Sequence, residues 1–173
     1  MQRCAWVDLN DEQMILYHDS EWGKPVKADD KLFEIMSLEL MQSGLSWKTI
    51  LHKRQAFRAA FSNFQINRVK LMGKDLNNLL ENKQIVRNRL KIKAVINNAK
   101  VIYNMQTNNL SFYDYLNRIF NKHMIIDDID TTSIKISKIM KKDGFKFIGP
   151  VMIRSFMQSI GVIKEHDENC DFK

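Results

Sequence analysis

Ser133-Ile134-Lys135-Ile136-Ser137-Lys138-Ile139-Met140-Lys141-Lys142, then Asp143-Gly144-Phe145-Lys146-Phe147-Ile148-Gly149, then Pro150-Val151-Met152-Ile153 is the stretch whose reading decides the fold. It predicts a helix from about Ser133 to Lys142, a short turn with glycine near each end, and a second helix that opens on Pro150 and stops before Gly161. Proline at a first helical position and glycine past a last one follow the usual asymmetry of helix ends. The unit, at about 133–160, is a helix–hairpin–helix. In such a unit the backbone N–H groups of the turn and of the next helix can point at a DNA phosphate without reading any base. Gly144 and Gly149 would shape the turn and Lys146 would face the phosphate, with Phe145, Phe147 and Ile148 anchoring the turn in the core. The alternative is an ordinary pair of antiparallel helices with no ligand at all.

Upstream the same helical period continues, and no segment keeps the period-two alternation of a half-buried strand. An all-α fold is expected. Asp29-Asp30 reads as an N-cap pair for a helix through Gln42, with Leu32, Ile35, Met36 and Glu39 on one stripe. Ser46 reads as the cap of a helix carrying Trp47, Ile50, Leu51, Arg54, Phe57 and Phe61 in register. Asp75–Leu80 suggests a short helix, Arg89–Met105 a longer one, and Ser111 a cap for a helix through Phe120. The polar stretch Asp127–Thr132 is the one soft spot, and residues 1–173 read as one domain.

The 173 residues are 45% hydrophobic and 27% charged, with six Gly and two Pro, a balance that fits a packed fold and excludes low-complexity polymers. No apolar run nears the roughly 18 residues of a membrane span, and Met1-Gln2-Arg3-Cys4 lacks a secretory layout, so a cytoplasmic protein is expected. The net charge is +7, and its distribution says more. Residues 52–100 sum to +10 and residues 1–51 to −4, which predicts a cationic face suited to a polyanion. No Ser-His-Asp set, phosphate-cradling loop or dinucleotide fingerprint is present. His52 and His123 read as solvated.

Glu39 stands on an apolar stripe between Leu38 and Leu40, where an ionised carboxylate costs several kcal/mol unless paired or held in a polar pocket. It is either half of a structural salt bridge or the floor of a ligand pocket. Trp6, Tyr17, Trp22 and Trp47 crowd the same third of the chain. They are either core or the walls of a slot for a flat, cationic base. Gly44-Leu45, a small apolar tip before a helix, is the sort of wedge that fills a hole left in stacked DNA. Cys4, His18, His166 and Cys170 place one Cys/His pair near each terminus. Together they would make a closed tetrahedral zinc site tying the chain ends, although each residue taken singly is unremarkable.

Met1-Gln2-Arg3-Cys4-Ala5-Trp6, Tyr17-His18-Asp19-Ser20-Glu21-Trp22-Gly23, Leu32-Phe33-Glu34, Gln42-Ser43-Gly44-Leu45-Ser46-Trp47, Ile85-Val86-Arg87-Asn88-Arg89-Leu90-Lys91-Ile92 and Gly144–Pro150 resemble the bacterial type I 3-methyladenine-DNA glycosylases. The likeness spans residues 1 to 170 in order. It implies a monofunctional helix–hairpin–helix enzyme that flips 3-methyladenine out of alkylated double-stranded DNA, cuts its N-glycosidic bond and leaves an abasic site, acting as a monomer and releasing the free base. Carried over by motif, Glu39 would bond the base edge, Trp6, Tyr17 and Trp47 would line or stack the pocket, and Leu45 beside Gly44 would plug the gap. Cys4, His18, His166 and Cys170 match the family's structural zinc ligands. The chain departs from the family at Met14, where a second tyrosine is frequent, and at Asn117-Arg118, where Trp-Ser is usual. The loop around Asp127–Thr132 is also shorter. A non-catalytic hairpin module that only binds duplex is the competing expectation.

Overall fold

A computed structural model of the chain describes residues 1–124 and 128–173, with the backbone alone at residues 123 and 124. Among the described residues there are ten α-helices and no strand: α1 Glu12–Ser20, α2 Asp29–Gln42, α3 Trp47–His52, α4 Arg54–Ala60, α5 Ile66–Val69, α6 Leu76–Glu81, α7 Arg89–Thr107, α8 Phe112–Met124, α9 Ile129–Lys142 and α10 Pro150–Ser159. The expected all-α class is what the described residues form.

The axis of the fold is α2. Every residue from Leu32 to Met41 is buried, so this helix is enclosed on all sides, as an element apolar around most of its circumference must be. α3, α7, α8 and α10 pack against it. The main core takes in α2, α4, α5, α7, α8, α9 and α10, with Phe33, Phe57, Phe61, Phe112, Phe145 and Phe156 fully buried. A smaller apolar cluster of Cys4, Val7, Met14, Tyr17, Leu51 and Cys170 gathers the two chain ends beside α1.

Several boundaries differ from the sequence reading for identifiable reasons. Asp29 and Asp30 do not cap their own helix, because α2 starts at Asp29 itself behind Ala28. The two carboxylates cap other helices instead. Asp29 accepts from the N–H groups of Phe112 and Tyr113 at the head of α8, and Asp30 from Ile66 N at the head of α5. An aspartate in a first turn can satisfy any nearby set of orphan N–H donors, and the pattern of one helix does not say which.

The helix expected from Trp47 through Phe61 breaks at Lys53, whose backbone sits at φ −90° and ψ −1°. Both halves keep their apolar residues in register, so periodicity passes over the break. Ser46 does cap α3, accepting from Thr49 N, and Ser111 Oγ accepts from Asp114 N in α8. α9 begins at Ile129, four residues early, because Asp128 caps it through Thr131 N. Most of the expected soft spot is therefore helix, while Asp127 and the side chain of His123 lie outside the described residues. His52 is not simply solvated, since its Nε2 lies 2.7 Å from Asp11 Oδ2.

Between α9 and α10 lies the hairpin. Gly144 takes φ +100°, a conformation that costs a side chain dearly, and Pro150 opens α10 as expected. Phe145 and Ile148 are buried anchors, but Phe147 is not: its ring is exposed. The apolar count of the turn suggested three anchors, whereas a tight turn can aim only two of its neighbours inward.

Candidate active site

Where the two apolar clusters meet, α1, α2, α3 and α10 leave a cavity of about 510 Å³, room for a purine and some water. Trp6, Met14, Tyr17, Trp22, Trp47 and Glu39 line it, with Ser155, Gln158 and Ser159 from α10. Tyr17 and Trp47 lean together with ring centroids 5.0 Å apart, and Trp6 meets Tyr17 edge-on at 6.3 Å. The sequence-assigned residues Glu39, Trp6, Tyr17 and Trp47 are thus brought to one cavity.

Glu39 is 5% exposed and has no cationic partner among the described residues. Its Oε1 accepts a 2.6 Å bond from Ser159 Oγ, which in turn accepts from the Tyr17 hydroxyl at 3.3 Å. Burial pushes the Glu39 carboxyl up to about 7, with the Ser159 bond pulling the other way. The Tyr17 phenol is pushed above its ordinary value by burial and by Glu39 beside it. A buried carboxylate with one hydroxyl donor and no countercharge keeps most of its acceptor capacity for something in the cavity. The indole Nε1 of Trp47, also buried and lining the cavity, has no acceptor among the described residues either.

Glu39 also faces a second cavity of about 560 Å³, lined by Gly44 and Leu45 on one side and by Phe147, Ile148, Gly149 and Val151 on the other. Gln42 and Ser155 border both spaces. Leu45 and Gly149 therefore share one opening. Gly144 and Lys146 line neither cavity. Gly144 turns toward Val101, and Lys146 is held at its backbone by Asn98 with its side chain exposed.

Lys91, in the first turn of α7, is nearly buried and donates to Met41 O and Ser43 O at 2.9 and 2.5 Å. It satisfies the last carbonyls of α2 and so fixes the tip that begins at Gly44. With Arg54 also buried and Arg58 tied to Glu34, three of the twelve cations in residues 52–100 serve the interior. The cationic face is smaller than the charge count implied.

At the joined ends, one ligand atom each from Cys4, His18, His166 and Cys170 lies within 4.8 Å of the others. Cys170 Sγ is 3.5 Å from His18 Nε2 and 3.3 Å from His166 Nδ1. His18 turns its other nitrogen to Asp19 (2.8 Å), itself clamped by Arg3, the carboxylate support common behind metal-binding imidazoles. Trp6 and Trp22 pack directly on this group, with Trp6 5.4 Å from the His18 ring and Trp22 4.6 Å from that of His166.

Sequence reasoning missed Ser159, Ser155 and Lys91. No local pattern marks a serine in the last turn of α10 as the partner of a glutamate 120 positions earlier. Lys91 lay inside a quoted motif, where it was counted as surface charge.

Fold and site together define a helical protein that offers a base-sized acidic slot beside a helix–hairpin–helix turn. The family model described as methyladenine glycosylase matches residues 6–173. The chain is 39% identical over 180 residues to DNA-3-methyladenine glycosylase 1 of Escherichia coli (strain K12), covering 98% of this chain and 96% of that one. To the DNA-3-methyladenine glycosylase of Haemophilus influenzae it is 38% identical over 183 residues, covering 99% and 97%. A crystal structure of 3-methyladenine DNA glycosylase I superposes with a TM-score of 0.90 at 39% identity, over 98% of each chain. The Staphylococcus aureus enzyme, solved to explain its recognition of 3-methyladenine, superposes at 0.89 and 32% identity, over 100% of this chain and 97% of that one. The chain belongs to the methyladenine glycosylase family.

Proposed function

We propose that residues 1–173 form one glycosylase domain that hydrolyses the N-glycosidic bond of 3-methyladenine in double-stranded DNA and leaves an abasic site. The observation that carries this reading is Glu39: an acid buried in a cavity, with a single serine donor and no cation to neutralise it among the described residues. Methylation at N3 gives adenine a positive charge and weakens its bond to the sugar. The protein therefore has mainly to extrude that base, select it by charge and orient it. Opposite a cation, Glu39 is favoured in its ionised form, while neutral adenine leaves the acid uncompensated. Trp6, Tyr17 and Trp47 supply the walls, and stacking on them adds about 1–3 kcal/mol per base. When water attacks the anomeric carbon, the C–N electrons return to the purine, which leaves as a neutral base as the water proton departs. No protein nucleophile is required.

Leu45, on the tip fixed by Lys91, would fill the gap left in the stack, with Gly44 allowing the turn. Gly144, Lys146 and Gly149 would serve the hairpin's grip on the backbone phosphate. The N–H groups of Ile148 and Gly149 have no acceptor among the described residues, which supports that grip. Cys4, His18, His166 and Cys170 would hold one structural zinc ion. Two thiolates and two imidazoles suit that metal, whose contribution would be to bind the chain ends and steady Trp6, two residues after Cys4. Such an enzyme would work as a cytoplasmic monomer on chromosomal DNA.

The test is chromatographic detection of free 3-methyladenine after incubation with alkylated duplex. Release is expected at catalytic amounts of protein. Binding to duplex with no release at saturating protein would instead support a non-catalytic hairpin module.

A further inference from the structure

Two phenylalanines of this chain sit in the left-handed backbone region, which side chains rarely adopt. They are Phe64 at φ +55° and Phe147 at φ +59°. Such residues persist only where the surroundings over-determine them. For Phe64 the compensation is plain, because its ring is 1% exposed in the core and stacks on Phe61. Phe147 has no such return: the residue is 41% exposed, on the rim of the second cavity.

The hairpin is nonetheless built to hold it there. Buried Asn98 clamps the preceding residue from both sides, accepting from Lys146 N at 2.8 Å and donating to Lys146 O at 3.0 Å. Buried Ser137 donates to Ile148 O at 2.6 Å on the following side, and Asn97 donates to Gly144 O at 2.9 Å. Phe145 and Ile148 are buried anchors on either flank. The turn thus places a large apolar ring in water, at a backbone angle that glycine or asparagine would accept more readily. Across the cavity stands Leu45, itself 41% exposed.

We propose that Phe147 is a DNA-contacting residue. Its ring packs on the deoxyribose adjoining the phosphate gripped by the Ile148 and Gly149 amides, opposite the Leu45 wedge. The chemistry follows from position. A phenyl group one residue away from a phosphate-binding N–H cannot pair with the anion, whereas the C–H face of the neighbouring sugar lies within its reach. Leu45 and Phe147 then form two apolar jaws around the site where the nucleotide leaves the stack, and the hairpin adds positioning to phosphate binding. The inference rests on the glycosylase reading for its ligand, but its test is a binding measurement.

The experiment compares wild-type protein with Phe147→Gly and Phe147→Asn in binding to an abasic-site duplex, in binding of free 3-methyladenine and in thermal unfolding. Both variants are expected to lose about tenfold in duplex affinity. The salt dependence should be unchanged, because no phosphate contact is removed. Base binding should stay the same, and the unfolding midpoint should be equal or higher, since the backbone strain is relieved. Duplex affinity within twofold of wild type in both variants would overturn the proposal. So would a loss of affinity accompanied by a lowered midpoint in both, which would make the ring a packing residue. If the wild-type protein released no 3-methyladenine while Phe147 still governed duplex affinity, the enzymatic reading would fail and this one would stand.

Discussion

Glu34 and Glu39 lie on the same helix, are equally buried at 5% exposure, and have opposite surroundings. Glu34 Oε1 takes the Nε groups of Arg54 at 2.7 Å and Arg58 at 2.9 Å, and Lys31 approaches its other oxygen. Burial alone would raise the Glu34 carboxyl, yet Arg54, Lys31 and Arg58 hold it below the ordinary carboxylate range. Arg54 also forks onto Glu21 at 2.9 and 2.8 Å, which closes the network. Among the described residues Glu39 has none of this, only Ser159 and a cavity, and its carboxyl rises to about 7. Burial therefore does not separate an ion-paired acid from an uncompensated one. On the function proposed above, what separates a structural acid from a functional one is whether the fold supplies the countercharge or leaves it to a ligand.

Exchanging each acid for its amide breaks the comparison most sharply. Glu39→Gln keeps the shape and a polar contact to Ser159, so the fold should hold while base excision falls about 10²–10³-fold, as when one preorganised electrostatic partner is removed. Single-turnover excision kinetics on alkylated duplex, set beside urea unfolding, checks both halves. Glu34→Gln should do the reverse. It leaves Arg54 and Arg58 short of an anion and should cost about 3 kcal/mol of stability in the same urea experiment, with base affinity retained by whatever remains folded.

A smaller effect is expected at the chain ends. Cys170→Ser removes one of the four clustered ligand atoms. Metal analysis should show the ion lost, the unfolding midpoint should drop by several degrees, and base affinity should weaken as Trp6 loses its support. An unchanged midpoint with no metal in either protein would separate the ends from the pocket.

The mildest expected effect is on pH dependence. The folded Glu39 carboxyl lies near 7 and its ordinary value near 4.5, so between those pH values the native state binds the extra proton. Its penalty to stability therefore grows as pH rises through that window and is complete above about 7. Wild type and Glu39→Gln should be nearly equally stable at pH 5, with the amide the more stable of the two at pH 8. Excision should move the other way: kcat/KM of wild type climbs as pH rises through about 7, where the acid ionises, and that limb disappears in the amide variant.

Much of this contrast was legible in the sequence, and part of it was not. Glu39 stood out because it interrupts an apolar stripe, and the three tryptophans and the Gly44-Leu45 tip lay close to it in the chain. Glu34 gave no such sign, since its partners Arg54 and Arg58 were read as members of a cationic surface, and only folding turns them inward. Asp29 and Asp30 were legible as caps, although the helices they cap are α8 and α5. The hairpin could be placed from its glycines and Pro150, but the outward turn of Phe147 depends on Asn98 and Ser137, which reach it from other elements. Local pattern reveals the type of a residue's job. Tertiary contact decides the partner.

The most direct measurement is quenching of tryptophan fluorescence on titration with 3-methyladenine and with adenine, using wild type and Glu39→Gln. Wild type is expected to favour the methylated base by about tenfold or more, equivalent to roughly 1.4 kcal/mol, and the amide variant to lose most of that preference. Equal discrimination in the two proteins would mean that the uncompensated acid of α2 does not choose the base.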